Sequence, residues 1–232
     1  MFDLLFRSAA GFGLLAGLIY WFAYSWHNSH DLTRSVIKTL TLAPLALFWL
    51  YTSATAGTSD WPMALGLLAG VIGDALLSRP GPAAFLAGMA AFGLGHLIYA
   101  LAMVLRAADL GFDAVSGAEI ALIVGLLALL ASTELWLAPR TGRLRQPVRA
   151  YVVLIGIMAA AAIVLPANPG QAELRIGAAL FVLSDLLLAL QLFLWRDGAP
   201  RVALGLLLWP AYVLGQLFLF WGSLLFWTFP KG

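Results

Sequence analysis

Eight runs of mostly apolar residues follow one another along the chain, each about as long as the helix of about 20 residues that crosses a bilayer. They run roughly from Ser8 to Trp26, Ser35 to Ser53, Pro62 to Ser78, Pro82 to Val104, Gly117 to Ala138, Pro147 to Leu165, Ala172 to Leu194 and Arg201 to Phe229. Lipid offers the backbone no hydrogen bonds, so runs of this kind fold as helices that satisfy their own N–H and C=O groups. The expected fold is therefore all-α: one polytopic membrane domain over 1–232, a bundle of eight transmembrane helices. Pro62, Pro82 and Pro147 stand where helices begin, a position at which the missing N–H costs little.

Composition narrows the possibilities further. Hydrophobic residues make up 62% of the 232 and charged ones 10%, against an apolar share of about 45–50% in soluble domains. A net charge of +2 spread over short loops gives no basic stripe for a phosphate backbone, so nucleic acid is not expected as a partner. Cysteine is absent, which removes thiol nucleophiles and thiolate ligands, and three histidines are few for a closed zinc site. No metal and no cofactor is expected. The segment MFDLLFRSAA has an early acid and no small-residue cleavage site, and reads as the start of a retained first span.

Loop charges set an expected orientation. Arg34, Lys38, Arg79, Arg140, Arg143, Arg145, Arg149, Arg196 and Arg201 fall on one side, and Arg7, Arg106, Arg175 and Lys231 on the other. The positive-inside rule then makes the first side cytoplasmic and leaves both termini outside it. Short loops and the Ala, Leu and Arg usage point to a bacterial inner membrane. Spans three and seven carry GDALL and SDLLL, and spans four and eight GHLIY and GQLFL. Two parallel four-helix repeats are one reading of that pattern.

Asp74 and Asp185 are the residues such helices do not need. An ionised Asp at a helix centre costs about 2.5–3.5 kcal/mol on insertion scales, so both are expected to face the bundle interior or water. A structural role, hydrogen-bonded to neighbouring helices, competes with a catalytic one, in which an apolar setting favours the neutral, proton-donating acid. His96 and Tyr99 are three apart and share a helix face. Tyr212 and Gln216 are four apart on the last span. Ser184 has no G-x-S-x-G elbow around it and reads as a packing or hydrogen-bonding residue. Lys38, in the first turn of the second span, either snorkels to the headgroups or binds a substrate phosphate. Glu134 reads as a solvated rim charge, and tryptophans near span ends, such as Trp21, Trp61 and Trp136, as an interfacial belt.

The pattern Lys38-x-Leu-Thr, then GDALL, FLAGMAAFGLGHLIY and LFVLSDLLLA before a final helix with Tyr212 and Gln216, resembles the YhhN-type lysoplasmalogenases from Lys38 to Gln216. Members usually carry Lys-Pro in the second span, where this chain has Lys38-Thr39. The resemblance implies a lysophospholipid substrate, a lysoplasmalogen, whose vinyl ether is hydrolysed to a fatty aldehyde and a glycerophospho-headgroup. It implies Asp74 and Asp185 as an acid and base or electrostatic pair in either order, His96 and Tyr99 as orienting groups, and Lys38 at the phosphate. Membrane lipids surround such a protein, and no oligomeric state is implied. A proton-coupled carrier and a non-catalytic lipid-binding protein are the alternatives that paired intramembrane acids also suit.

Overall fold

A computed structural model describes residues 2–26, 31–56 and 60–228. Phe229, expected as the end of the last span, and Lys231 lie outside the described residues. Nine α-helices and no strand occur among the described residues: α1 Phe2–Ala23, α2 Leu32–Leu40, α3 Ala43–Ala56, α4 Trp61–Leu77, α5 Pro82–Leu110, α6 Gly117–Trp136, α7 Arg145–Ile163, α8 Gln171–Phe193 and α9 Gly198–Thr228. Seven helical segments are long and apolar enough to cross a membrane, with Leu32–Thr55 counted as one across the gap between α2 and α3. The shorter α4, with 17 residues, is also apolar apart from Asp74. The chain is an all-α polytopic membrane protein.

Two expectations about the elements need correction. The second span is not one helix: it breaks at Thr41 and Leu42. Pro44 has no N–H to give Leu40, so the helical ladder cannot run through this point. The short α2 therefore ends inside the bundle, and Lys38 lies in its last turn instead of the first turn of a continuous helix. The fourth span also runs past Val104 to Leu110, which places Arg106 inside α5, with its guanidinium directed at the Phe226 carbonyl.

Glycines let the helices that matter most approach closely. A Cβ on Gly177 of α8 would lie 2.8 Å from the Leu219 nitrogen and 2.9 Å from the Gly215 oxygen, both backbone atoms of α9. On α4, Gly66 and Gly73 make room for the rings of Tyr99 and Phe92 from α5. The pairs α4–α5 and α8–α9 occupy corresponding places in the two halves of the chain. Trp49, Tyr99, Phe181 and Phe226 are the largest side chains fully buried between the helices. By contrast α6 has no buried residue, and it packs on α7 with Leu130 set against Gly156.

The two ends of the bundle are tied differently. At one end Arg175 of α8 joins Glu119 and the last carbonyls of α7, and Asn168 donates to the Phe226 carbonyl at 3.2 Å. The other end gathers Arg34, Arg79, Arg140, Arg143, Arg145, Arg149, Arg196 and Arg201, and is called the basic end below. There Glu134, a rim charge 45% exposed, accepts hydrogen bonds from the Arg149 guanidinium.

Candidate active site

Asp74 occupies the last full turn of α4, where the small residues of that helix leave its carboxylate 1% exposed. A carboxylate this deep needs partners, and two helices supply them. Lys38, in the last turn of α2, points inward, and its Nζ lies 2.9 Å from Asp74 Oδ1. Ending α2 there is favourable for a cation, because the carbonyl end of the helix is partly negative. Tyr212 of α9 donates to Asp74 Oδ2 at 2.8 Å. One turn further along α9, Gln216 accepts from the Tyr99 hydroxyl at 2.7 Å, with its amide nitrogen against Gly70, where a Cβ would be 2.8 Å away.

Asp185 lies on α8 and is held by a different pair. Tyr151 of α7 donates to its Oδ2 at 2.7 Å, and His96 of α5 brings Nε2 to 3.4 Å from the same oxygen and 3.0 Å from the Tyr151 hydroxyl. The His96 ring is fixed edge-on by Phe181 at 4.7 Å and by Tyr151 at 5.4 Å. Asp185 is 16% exposed against 1% for His96, so of the two the carboxylate is the one that reaches open space. The contacts from Tyr151 and His96 both fall on Asp185 Oδ2, whereas Asp74 has one partner on each oxygen.

The two carboxylates line one chamber, together with Lys38, Ser184 and Tyr212. Toward the basic end the same wall continues through Arg34, Gln191 and Arg201. His96, Tyr99 and Gln216 are not in the wall; they stand behind it and hold the residues that are. Ser184 returns its hydroxyl to the Phe181 carbonyl of its own helix at 2.8 Å. Lys38 is not at the headgroup surface: its side chain is 16% exposed and points at Asp74.

Several wall or support residues escaped the sequence reading, Tyr151, Arg34, Gln191 and Arg201 among them. Tyr151 left a signal, as a hydroxyl-bearing residue well inside an apolar run, but its partners are on α5 and α8. Arg34 and Arg201 were counted as loop charges. Folding turns them to the chamber, where Arg34 donates to the Tyr20 hydroxyl at 3.0 Å and Arg201 to the Trp26 carbonyl at 3.3 Å.

Comparison with known proteins bears on what this arrangement is for. The model of a family described as the YhhN family matches residues 33–223, a stretch that includes both carboxylates and every residue named around them apart from Tyr20 and Trp26. The chain is 27% identical over 189 residues to the protein named Lysoplasmalogenase TMEM86B of Rattus norvegicus, covering 82% of this chain and 74% of that protein. No solved structure matches.

Proposed function

Because the chain belongs to the YhhN family, we propose that it is an intramembrane hydrolase that cleaves the vinyl ether bond of lysoplasmalogens to a fatty aldehyde and a glycerophospho-headgroup. The observation that carries this reading is the chamber itself: two carboxylates from α4 and α8, each held by its own donors, on one wall.

A vinyl ether is opened by a proton delivered to its β-carbon. The carbon–carbon π pair forms the new C–H bond and leaves an oxocarbenium cation, as in glycoside cleavage between two carboxyl groups. Water then adds to the α-carbon and gives up a proton to a base. The resulting hemiacetal breaks its bond to the glyceryl oxygen, which takes a proton as the aldehyde forms. In this chain Asp185 is the group to exchange the proton, since its partly exposed side chain lines the chamber and has His96 and Tyr151 at Oδ2. Asp74, fixed on both oxygens, is the negative partner for the cation. Lys38 meets the substrate phosphate in company with Arg34 and Arg201, and a Lys38 drawn toward phosphate leaves Asp74 more negative when the cation forms. Ser184, Tyr99 and Gln216 position the wall. The basic end is cytoplasmic in this reading, both termini are on the opposite side, and the host membrane is a bacterial inner membrane.

The test is aldehyde release by purified protein from lysoplasmalogen and from its acyl-lysophospholipid counterpart. Aldehyde is expected from the vinyl ether alone, with Asp74→Asn and Asp185→Asn each reducing it by about a hundredfold or more, the scale of general acid–base catalysis. Absence of aldehyde with wild-type protein overturns the reading.

One observation favours the carrier alternative: the break between α2 and α3 at mid-bundle, a feature common in carrier helices. Substrate-dependent flux into liposomes without aldehyde would support that reading instead.

A further inference from the structure

A second cavity adjoins the chamber and lies between α5, α6, α7 and α8. Leu77, Phe85, Phe92, Asp185, Leu188 and Leu192 line both spaces, so the two meet at Asp185. The walls differ in kind. Beyond Asp185, the polar groups of the second cavity already have partners: Tyr151 donates to Asp185, Thr133 to the Leu130 carbonyl at 2.6 Å, and Trp136 to Ser132 at 3.3 Å. A wall with no hydrogen bond to offer selects a ligand that asks for none, because an unpaired polar group there would cost several kcal/mol.

We propose that this groove holds the hydrocarbon chain of the single-chain lipid substrate, with the reacting bond at Asp185, where the apolar groove meets the polar chamber. The proposal rests on the hydrolase reading and extends it to chain recognition. The ligand's own polarity boundary argues for it: the vinyl ether joins a phosphate-bearing glycerol to an alkyl chain, and Asp185 stands where the wall with Arg34 and Arg201 gives way to the wall with Met89, Val152 and Ala189. Both spaces extend toward the basic end, one to Arg34 and Arg201, the other to Trp136 and Phe193. The substrate therefore folds back on itself at the bond to be broken, and head and tail stay in the same half of the membrane. Trp136 and Phe193, near the outlet, limit the chain length. The outer wall is α6, which has no buried residue and is otherwise covered by lipid, so a chain enters from the bilayer.

Two measurements test this. An acyl-lysophospholipid carrying a diazirine at the end of its chain is not a vinyl ether, so photolabelling reports the chain's place whether or not the protein hydrolyses anything. Label is expected on residues 129–137 of α6 and its C-terminal turn and on 186–193 of α8, competed by excess unlabelled lysoplasmalogen. Label spread over all lipid-facing helices, or concentrated on α1 and α3, overturns the proposal. In the second measurement, Ala189→Phe shortens the groove and is expected to lower the long-chain to short-chain ratio of kcat/KM by about tenfold or more, the scale on which pockets reject methylene groups. Val124→Phe, at a lipid-facing site 59% exposed and outside both cavities, leaves the ratio unchanged. An unchanged ratio in Ala189→Phe also overturns the proposal. Localised label with no aldehyde from wild-type protein would defeat the hydrolase reading and leave the chain site standing.

Discussion

Removing the Lys38 ammonium leaves Asp74 buried at 1% exposure without its counter-charge, and the Tyr212 hydroxyl cannot replace it. Breaking one side of a buried ion pair costs about 3–5 kcal/mol, whereas replacing both partners with apolar groups is often close to neutral. Lys38→Met is therefore expected to lower Tm sharply in detergent, and Lys38→Met with Asp74→Leu to recover most of the loss while remaining inactive. A double variant as unstable as the single one would show that Asp74 does not depend on Lys38. At the other carboxylate, Tyr151→Phe keeps the ring and removes the bond to Asp185 Oδ2. Hydrogen bonds to charged groups are worth about 1.5–3 kcal/mol, so kcat should fall by roughly tenfold to a hundredfold with little change in Tm. Unaltered kcat would exclude Tyr151 as a positioning residue. The acids themselves were legible as residues that apolar helices do not carry. Tyr151 was not, because its meaning comes from contacts to α5 and α8 that no pattern within α7 encodes.

The helices followed from the apolar runs because bilayer thickness and helical rise set their length. The break in the second span was written in the chain as Pro44, but the continuous hydropathy around it concealed that signal. Lys38, in the last turn of the short α2, lies beside Asp74 instead of at the headgroups. Pairing between helices is harder to read, since the glycines that permit it look alike in sequence. Gly177 and Gly125 both lie within apolar helices, yet a Cβ at Gly177 meets α9 backbone at 2.8 Å and one at Gly125 meets nothing within 4 Å. Backbone cannot yield as a flexible side chain does, so Gly177→Ala is expected to cost about 1–3 kcal/mol, as overpacked cores do. Gly125→Ala should instead be neutral or stabilise by up to about 1 kcal/mol, from helix propensity alone. Thermal unfolding of the two variants checks the contrast, and equal shifts would refute the packing assigned to α8 and α9.

At the scale of the whole molecule, charge asymmetry and site location coincide. Arg34 and Arg201, two of the arginines counted for orientation, also line the chamber, so under the proposed function one distribution of charge serves both membrane topology and phosphate attraction. The coincidence was only half legible: the loop count marks which end is basic, but the chamber's reach toward that end depends on how α1, α2 and α9 converge around Ser25 and Gly205. Orientation then decides which leaflet supplies substrate, and it can be read directly because the chain has no cysteine of its own. Gln146→Cys, exposed at the start of α7, is on the basic end. Val115→Cys, 51% exposed in the segment before α6, is on the opposite end. With a membrane-impermeant maleimide, Val115→Cys should be labelled in intact cells and Gln146→Cys only after permeabilisation. The reverse pattern would place the chamber's basic mouth outside and make the outer leaflet the source of substrate, whereas the expected pattern ties the enzyme to lysolipid made on the cytoplasmic face.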